Sequence, residues 1–104
     1  MLLPTFGSEY ASMLHCVRGA KAFNEGKLRD FAQVGFRAPD DRTLIIELDH
    51  PVPYFLGLIC HHSWLPVHPA TILKFGKIDT LNTPWTRPGS LVGNGAFTLE
   101  TWEV

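Results

Sequence analysis

Apolar side chains recur at helical spacing early in the chain. The positions that share this spacing are Tyr10, Met13, Leu14, Val17, Ala20 and Phe23. Steps of three and four residues bring these side chains onto one face of an α-helix. Ser8 stands where a helix N-cap is favoured, and Gly26 stands where a glycine commonly ends a helix. The pattern therefore predicts a helix over residues 8–25 with this face in the core.

An alternating pattern follows and predicts a β-hairpin. The alternating apolar positions are Val34, Phe36 and Ala38 in the first half, and Leu44, Ile46 and Leu48 in the second. Between them, Pro39-Asp40-Asp41-Arg42 supplies residues typical of a turn. We expect two half-buried antiparallel strands. Asp40 and Asp41 could also form a catalytic carboxylate pair, but a turn accounts for them better.

Prolines and glycines concentrate in the second half of the chain and predict many turns there. The elements expected in order are a short helix over Tyr54–His62, one or two helical turns over Ala70–Phe75, a loop over 77–92, a turn at Gly93-Asn94-Gly95 and a strand over Ala96–Val104. Trp102 is expected in the core from its place in that strand. Because the strand continues to the last residue, we expect its partner outside this chain.

Composition limits the classes of protein that fit. The chain has 104 residues, 45% hydrophobic and 18% charged, which suits one globular domain. A formal net charge of −1 disfavours a general nucleic-acid binder. No apolar run approaches the roughly 20 residues that cross a bilayer. Pro4 follows Met1-Leu2-Leu3 directly, so no signal-peptide core is expected within this sequence.

Cysteine and histidine residues suggest two kinds of chemistry, and neither is well supported. Cys16 and Cys60 are expected to be buried free thiols, although one bridge could form if the fold brings them together. Cys60, His61, His62 and His68 carry zinc-ligating side chains. However, His61 and His62 are expected to point to different sides of a helix. A Cys–His nucleophile would lack a third, organising group. We therefore expect no metal, no cofactor and no enzyme activity.

Large aromatic residues near prolines are candidates for ligand contact. Trp64 and Trp85 lie in predicted loops, where an aromatic ring can line a ligand surface or cover the edge of a core. Gly93-Asn94-Gly95 lacks the Lys and Ser/Thr of a phosphate loop, so it is read as a turn.

Four motifs resemble one protein family. The run from Val34 to Phe55, VGFRAPDDRTLIIELDHPVPYF, resembles a recurrent segment of the periplasmic dipeptide- and oligopeptide-binding proteins, the extracellular solute-binding proteins of family 5. Leu65-Pro66-Val67 and the stretch from Leu91 to Leu99, followed by Trp102, resemble later segments of the same family. The stretch from Ser8 to Ser12 resembles the start of a helix in the oligopeptide-binding branch. The motifs occur in the family's order and cover essentially the whole chain.

The resemblance implies that the chain is an internal fragment of a two-lobed, hinge-closing α+β protein. Residues 1–67 would belong to its extra small domain, and residues 68–104 would begin the return into the first ligand-binding lobe. Tyr10 matches a tyrosine that faces the peptide, so Tyr10, Trp64 and Trp85 are the candidate ligand-binding residues. His62 and His68 stand where many family members have other residues.

By the same resemblance, the parent protein would be the substrate-binding component of an ABC transporter for peptides. It would be periplasmic or extracellular, soluble or lipid-anchored, with a peptide ligand and a membrane permease as partners. The fragment could also dimerise through exposed edges. Two alternatives stay open: a stand-alone α+β protein-interaction domain, and a metal- or thiol-dependent enzyme using Cys60, His61 and His68.

Overall fold

The structure, a computed structural model, describes residues 1–103. The chain divides into two compact units, unit 1 (Met1–Trp64) and unit 2 (Leu65–Val104). The helices and strands in chain order are α1 (Ala20–Asn24), β1 (Phe36–Asp40), β2 (Thr43–Ile46), α2 (Phe55–Leu58) and α3 (Pro69–Leu73). Single 3₁₀ turns occur at Pro4–Phe6, Ala11–Leu14, Phe31–Gln33, His62–Trp64 and Pro84–Thr86. Short helices beside an antiparallel hairpin confirm the predicted α+β class.

The hairpin of unit 1 has the predicted antiparallel form. Phe36 on β1 lies opposite Ile46 on β2. At the turn, the Oδ1 atom of Asp40 accepts a hydrogen bond from the Arg42 N–H at 2.8 Å. Asp residues favour turns through this type of bond, so the turn interpretation is confirmed. The expected half-burial is not found, because only Phe36 and Ile46 of the two strands are even partly buried.

The predicted helix over residues 8–25 is interrupted in its middle. A 3₁₀ turn at Ala11–Leu14 and α1 are its only helical parts. Gly19 between them has a φ of +71°, a left-handed conformation that favours glycine and does not continue a helix. Val17 instead forms an isolated antiparallel bridge with Leu48. Hydrogen bonds to a distant segment therefore replace the helical ones at this point of the chain.

Three segments of unit 1 meet at a backbone junction, formed by Arg18, Gly35 and Glu47. The Arg18 N–H donates to the Glu47 carbonyl at 2.9 Å, and the Gly35 N–H donates to the Arg18 carbonyl at 2.8 Å. The Glu47 N–H in turn donates to the Gly35 carbonyl at 2.8 Å. A Cβ atom on Gly35 would lie only 2.5 Å from the Glu47 carbonyl oxygen. The junction therefore requires glycine at position 35.

The core of unit 1 uses most of the apolar face that the sequence indicates. The buried cluster consists of Leu2, Leu14, Val17, Ala20, Phe23 and Val34. Val17 and Val34 are completely buried. The face is thus buried as expected although the helix is interrupted. Tyr10 is the exception, because 44% of its surface is exposed.

The predicted helix over Tyr54–His62 is shorter than expected. Only α2 is helical in that range, with Tyr54 as its N-cap residue. A 3₁₀ turn then begins at His62. In unit 2, α3 begins at Pro69, so the helical turns expected over Ala70–Phe75 are confirmed with a small shift.

The strand expected over Ala96–Val104 is wrong for residues 96–103, which have no regular secondary structure. Val104 lies outside the described residues. A strand needs a hydrogen-bonded neighbour, and residues 65–103 contain no other strand to supply one. Phe97 is 94% exposed and Trp102 is 71% exposed, so the expected core position of Trp102 is also wrong.

The predicted domain boundary between residues 67 and 68 stays a prediction. Along the sequence, the boundary between the two compact units falls between Trp64 and Leu65. The compactness of a unit does not identify the lobe to which it belongs. Among residues 1–103, none of the helices has the length and apolar character needed to cross a bilayer.

Candidate ligand-binding site

Tyr10 lies in an aromatic cluster with two histidines of unit 1. Its ring centroid is 5.3 Å from that of His61, at a tilt of 47°. It is 5.2 Å from that of His62, with the two rings nearly perpendicular at 81°. The two imidazole rings are themselves 4.0 Å apart. A nearly perpendicular contact at 5.2 Å, as between Tyr10 and His62, is a favourable arrangement of aromatic rings. We call these three residues the Tyr10 cluster.

The expectation that His61 and His62 point to different sides of a helix is wrong. The helix ends at Leu58, before either histidine, and the backbone then turns into the 3₁₀ segment that begins at His62. Adjacent side chains diverge on an α-helix, but this turn brings both rings to the same side. Sequence reasoning treated the two residues as metal candidates and missed their contact with Tyr10, for which the sequence carries no local signal.

His61 is held in one orientation by Ser63. The Ser63 N–H donates to Nδ1 of His61 at 3.3 Å, and the Ser63 hydroxyl lies 3.0 Å from the same nitrogen. A backbone N–H can only donate, so Nδ1 must be the acceptor. Neutral His61 therefore carries its proton on Nε2.

Trp64 lies in a different aromatic group of unit 1. Its ring packs against Phe55 at 5.6 Å and against Phe36 at 6.2 Å, and it covers one side of the buried core. Its Nε1 atom is buried and has no hydrogen-bond partner among the described residues. These contacts give Trp64 a packing role, and its contact with a ligand stays a prediction.

Trp85 belongs to unit 2, in the 3₁₀ turn Pro84–Thr86, and it is half-buried. Thr86, Arg87 and Pro88 beside it line an open cavity of about 420 Å³ together with Trp102. Within unit 1, Tyr10 and Trp64 lie in separate aromatic groups. Ligand contact by Trp85 likewise stays a prediction.

The cysteine and histidine residues do not assemble into a metal site in the described part of the chain. Across residues 1–103, no three His, Cys, Asp or Glu side chains are close enough to share an ion. His68 is engaged elsewhere, because its Nδ1 lies 2.8 Å from the Thr71 hydroxyl. Both cysteines are free thiols, as expected. The expected burial is wrong for Cys60, which is exposed, while Cys16 is half-buried and this burial raises its pKa.

Comparisons with known proteins give a consistent result over nearly the whole chain. The periplasmic oligopeptide-binding protein OppA of Escherichia coli K12 is 43% identical over 103 residues, which is 97% of this chain. The structure of OppA from Burkholderia pseudomallei matches 98% of the chain with a TM-score of 0.84 and 34% identity. The structure of Haemophilus influenzae OppA in complex with the peptide RPPGFSPFR matches 99% of it, with a TM-score of 0.84 and 32% identity. No protein-family model matches the chain.

Sequence and fold thus agree that the chain is similar to one segment of the periplasmic oligopeptide-binding proteins. The dipeptide- and oligopeptide-binding proteins to which it is similar are the family that its motifs indicate. It spans 18% of the length of the Escherichia coli relative and 19% of each of the two solved structures.

Proposed function

We propose that this chain forms part of the peptide-binding surface of the substrate-binding component of an ABC transporter for peptides. The observation that carries the proposal is the match of 99% of the chain to the Haemophilus influenzae protein in complex with RPPGFSPFR. The matching segment in that structure belongs to a protein in complex with a peptide of nine residues. Binding without catalysis is accordingly the activity proposed here.

Tyr10 is the residue of this chain that we propose contacts the ligand. It is partly exposed, although its spacing would have put it in the core. Its ring contacts both His61 and His62, which lie on the same side of it. A supported, partly exposed tyrosine can offer a ligand both a flat apolar face and a hydroxyl group. Trp64 in unit 1 and Trp85 in unit 2 are each proposed as a further ligand contact.

In the proposed mechanism, an extended peptide is bound largely through its main chain, as an added strand would be. Its side chains lie in water-containing pockets that accept many residue types. Closure of two lobes about a hinge then encloses the peptide, and the closed form delivers it to a membrane permease. The protein would act in the periplasm or outside the cell, either soluble or held by a lipid anchor.

The test is calorimetric titration with RPPGFSPFR. This chain spans only 18% of its Escherichia coli relative. Affinity is therefore measured in a hybrid protein, here called the exchange protein, in which this chain replaces the matching segment of that relative. Tyr10→Phe is expected to weaken binding about threefold to tenfold, since it removes one hydrogen bond. Tyr10→Ala is expected to weaken it further.

The matched control is Tyr54→Phe, because Tyr54 is the only other tyrosine and is exposed at the start of α2. Equal affinity in the Tyr10 variants and the unsubstituted exchange protein would contradict ligand contact by Tyr10. The isolated chain is expected to bind weakly, because most of the contacts lie outside it. Tight, saturable binding by the isolated chain would overturn that part of the proposal.

Self-association is a separate proposal. Apolar side chains such as Phe97 and Leu56 are largely exposed, and burying them between two copies would remove apolar surface from water. Sedimentation equilibrium of the isolated chain tests for this dimer, and a monomer at all concentrations would contradict it.

A further inference from the structure

The orientation of the Tyr10 ring depends on few interactions. Tyr10 precedes a single 3₁₀ turn, and its side chain makes no capping hydrogen bond to that turn. Within residues 1–103, its hydroxyl has no hydrogen-bond partner in the protein. What holds the ring is its contact with His61 and His62, which lie far away in the sequence.

His61 is better fixed than the tyrosine that it contacts. The His61 N–H donates to the Leu58 carbonyl at 3.1 Å, and the His61 carbonyl accepts from the Trp64 N–H at 2.9 Å. Its imidazole is held by Ser63. His62 lies against His61, with 4.0 Å between the ring centroids. The pair is therefore anchored to a segment that ends in Trp64, which packs on the core.

We propose that His61 and His62 are positioning residues for Tyr10. Their rings hold the phenol ring by tilted and edge-to-face contacts, and so fix the direction in which its hydroxyl is offered to the ligand. The inference rests on the proposed function of Tyr10 and extends it to two residues that need not touch the peptide. His62 contributes the perpendicular contact, and it stands where the family resemblance indicates other residues in many members.

The first test is the NMR spectrum of the Tyr10 ring protons in the 104-residue chain, which contains only two tyrosines. In the unsubstituted chain, these protons are expected away from random-coil positions because of the ring currents of two imidazoles. His62→Ala is expected to move them, and His62→Phe is expected to preserve a ring contact. Random-coil positions in the unsubstituted chain, or no change in His62→Ala, would overturn the proposal.

The second test is affinity for RPPGFSPFR in the exchange protein. His62→Ala is expected to weaken binding about threefold to tenfold, the range that corresponds to loss of an aromatic pair. His62→Phe is expected to restore most of the affinity, because a ring rather than a proton-carrying group is needed at this position. The matched control is His50→Ala, which removes an exposed histidine from the same unit without touching Tyr10.

These outcomes separate the two proposals. If Tyr10→Phe leaves affinity unchanged, the proposed function of Tyr10 fails. If Tyr10→Phe weakens binding while His62→Ala does not, the ligand contact stands and the positioning role fails. If His62→Phe binds as weakly as His62→Ala, ring packing is not the reason for the effect and the positioning proposal is also overturned.

Discussion

Arg18 and Glu47 are joined twice, once through their backbones and once through their side chains. The Arg18 N–H donates to the Glu47 carbonyl at 2.9 Å, and the guanidinium lies 2.7 Å from Oε2 of the Glu47 carboxylate. The other carboxylate oxygen pairs with Arg37 on β1. This double connection attaches the interrupted N-terminal segment to the hairpin.

Gly35→Ala is expected to destabilise unit 1 by about 2 kcal/mol or more, because a Cβ atom at 2.5 Å from the Glu47 carbonyl oxygen forces the backbone apart. Urea unfolding followed by circular dichroism measures the loss. The matched control is Gly57→Ala in α2, where a Cβ atom would meet nothing within 4 Å. That change is expected to be neutral or to stabilise by about 0.5 kcal/mol. Equal midpoints for the two variants would contradict close packing at the junction.

Glu47→Gln is expected to cost about 1 kcal/mol in low salt, since it weakens ion pairs with Arg18 and Arg37 while keeping the side-chain volume. All three side chains are partly exposed, so the effect is expected to shrink in 1 M salt, where screening is strong. Glu25→Gln serves as the control, because its ion-pair partner, Lys27, lies two residues away in the same segment. If Glu47→Gln lowers the free energy of unfolding no more than Glu25→Gln does, the result counts against the Arg18–Glu47–Arg37 network.

The stability contributed by the Asp40 carboxylate is expected to depend on pH. Hydrogen bonds from the Arg42 backbone and the Thr43 side chain hold the pKa of Asp40 below its usual range. A carboxyl whose pKa is lowered by folding stabilises the fold above its unfolded pKa of about 4, and this contribution is lost as the pH falls through the folded value. The melting temperature of Asp40→Asn should therefore differ from that of the unsubstituted chain at pH 7. This difference in melting temperature should become smaller as the pH is lowered.

Asp41→Asn removes the same charge from the neighbouring turn residue and is the control for the Asp40 experiment. If the melting temperatures of Asp40→Asn and the unsubstituted chain differ by the same amount from pH 7 to strongly acidic pH, the charged form of Asp40 does not stabilise the turn.

The two thiols are expected to react at different rates with a thiol-specific reagent. Cys60 is exposed, whereas burial, and then the nearby Asp49 carboxylate, raise the pKa of Cys16 despite an opposing backbone hydrogen bond. Since the thiolate is the reactive form, Cys16 should react slowly at neutral pH and faster under alkaline conditions. Labelling of Cys60→Ser isolates Cys16, and Cys16→Ser isolates Cys60. Faster labelling of Cys16 at pH 7 would contradict this order.

The hairpin was predictable from sequence because its information is local. Alternation and the Asp40 turn lie within a few neighbouring residues, and the bond from Arg42 to Asp40 is made whatever the rest of the chain does. The family motifs likewise lie in continuous runs. They were sufficient to indicate the fold class and the family that the comparisons support.

The interruption near Gly19 and the Tyr10 cluster could not be predicted in the same way. Helical spacing describes which side chains are buried, and Val17, Ala20 and Phe23 are indeed buried. It does not describe the competing hydrogen bond that the Arg18 N–H donates to the carbonyl of Glu47 in a distant segment. The contact of Tyr10 with His61 is equally distant, and the strand expected at Ala96–Val104 depended on a partner that residues 65–103 do not contain.

The backbone junction also has a consequence for how unit 1 forms and opens. Arg18, Gly35 and Glu47 come from three separate segments, so their hydrogen bonds can form only after two loops have closed. No one of the three bonds can break for long without loosening the others. In deuterated water, their amide protons should exchange together and at a rate set by opening of the whole unit. The Arg42 amide, held only within its own turn, should exchange much sooner.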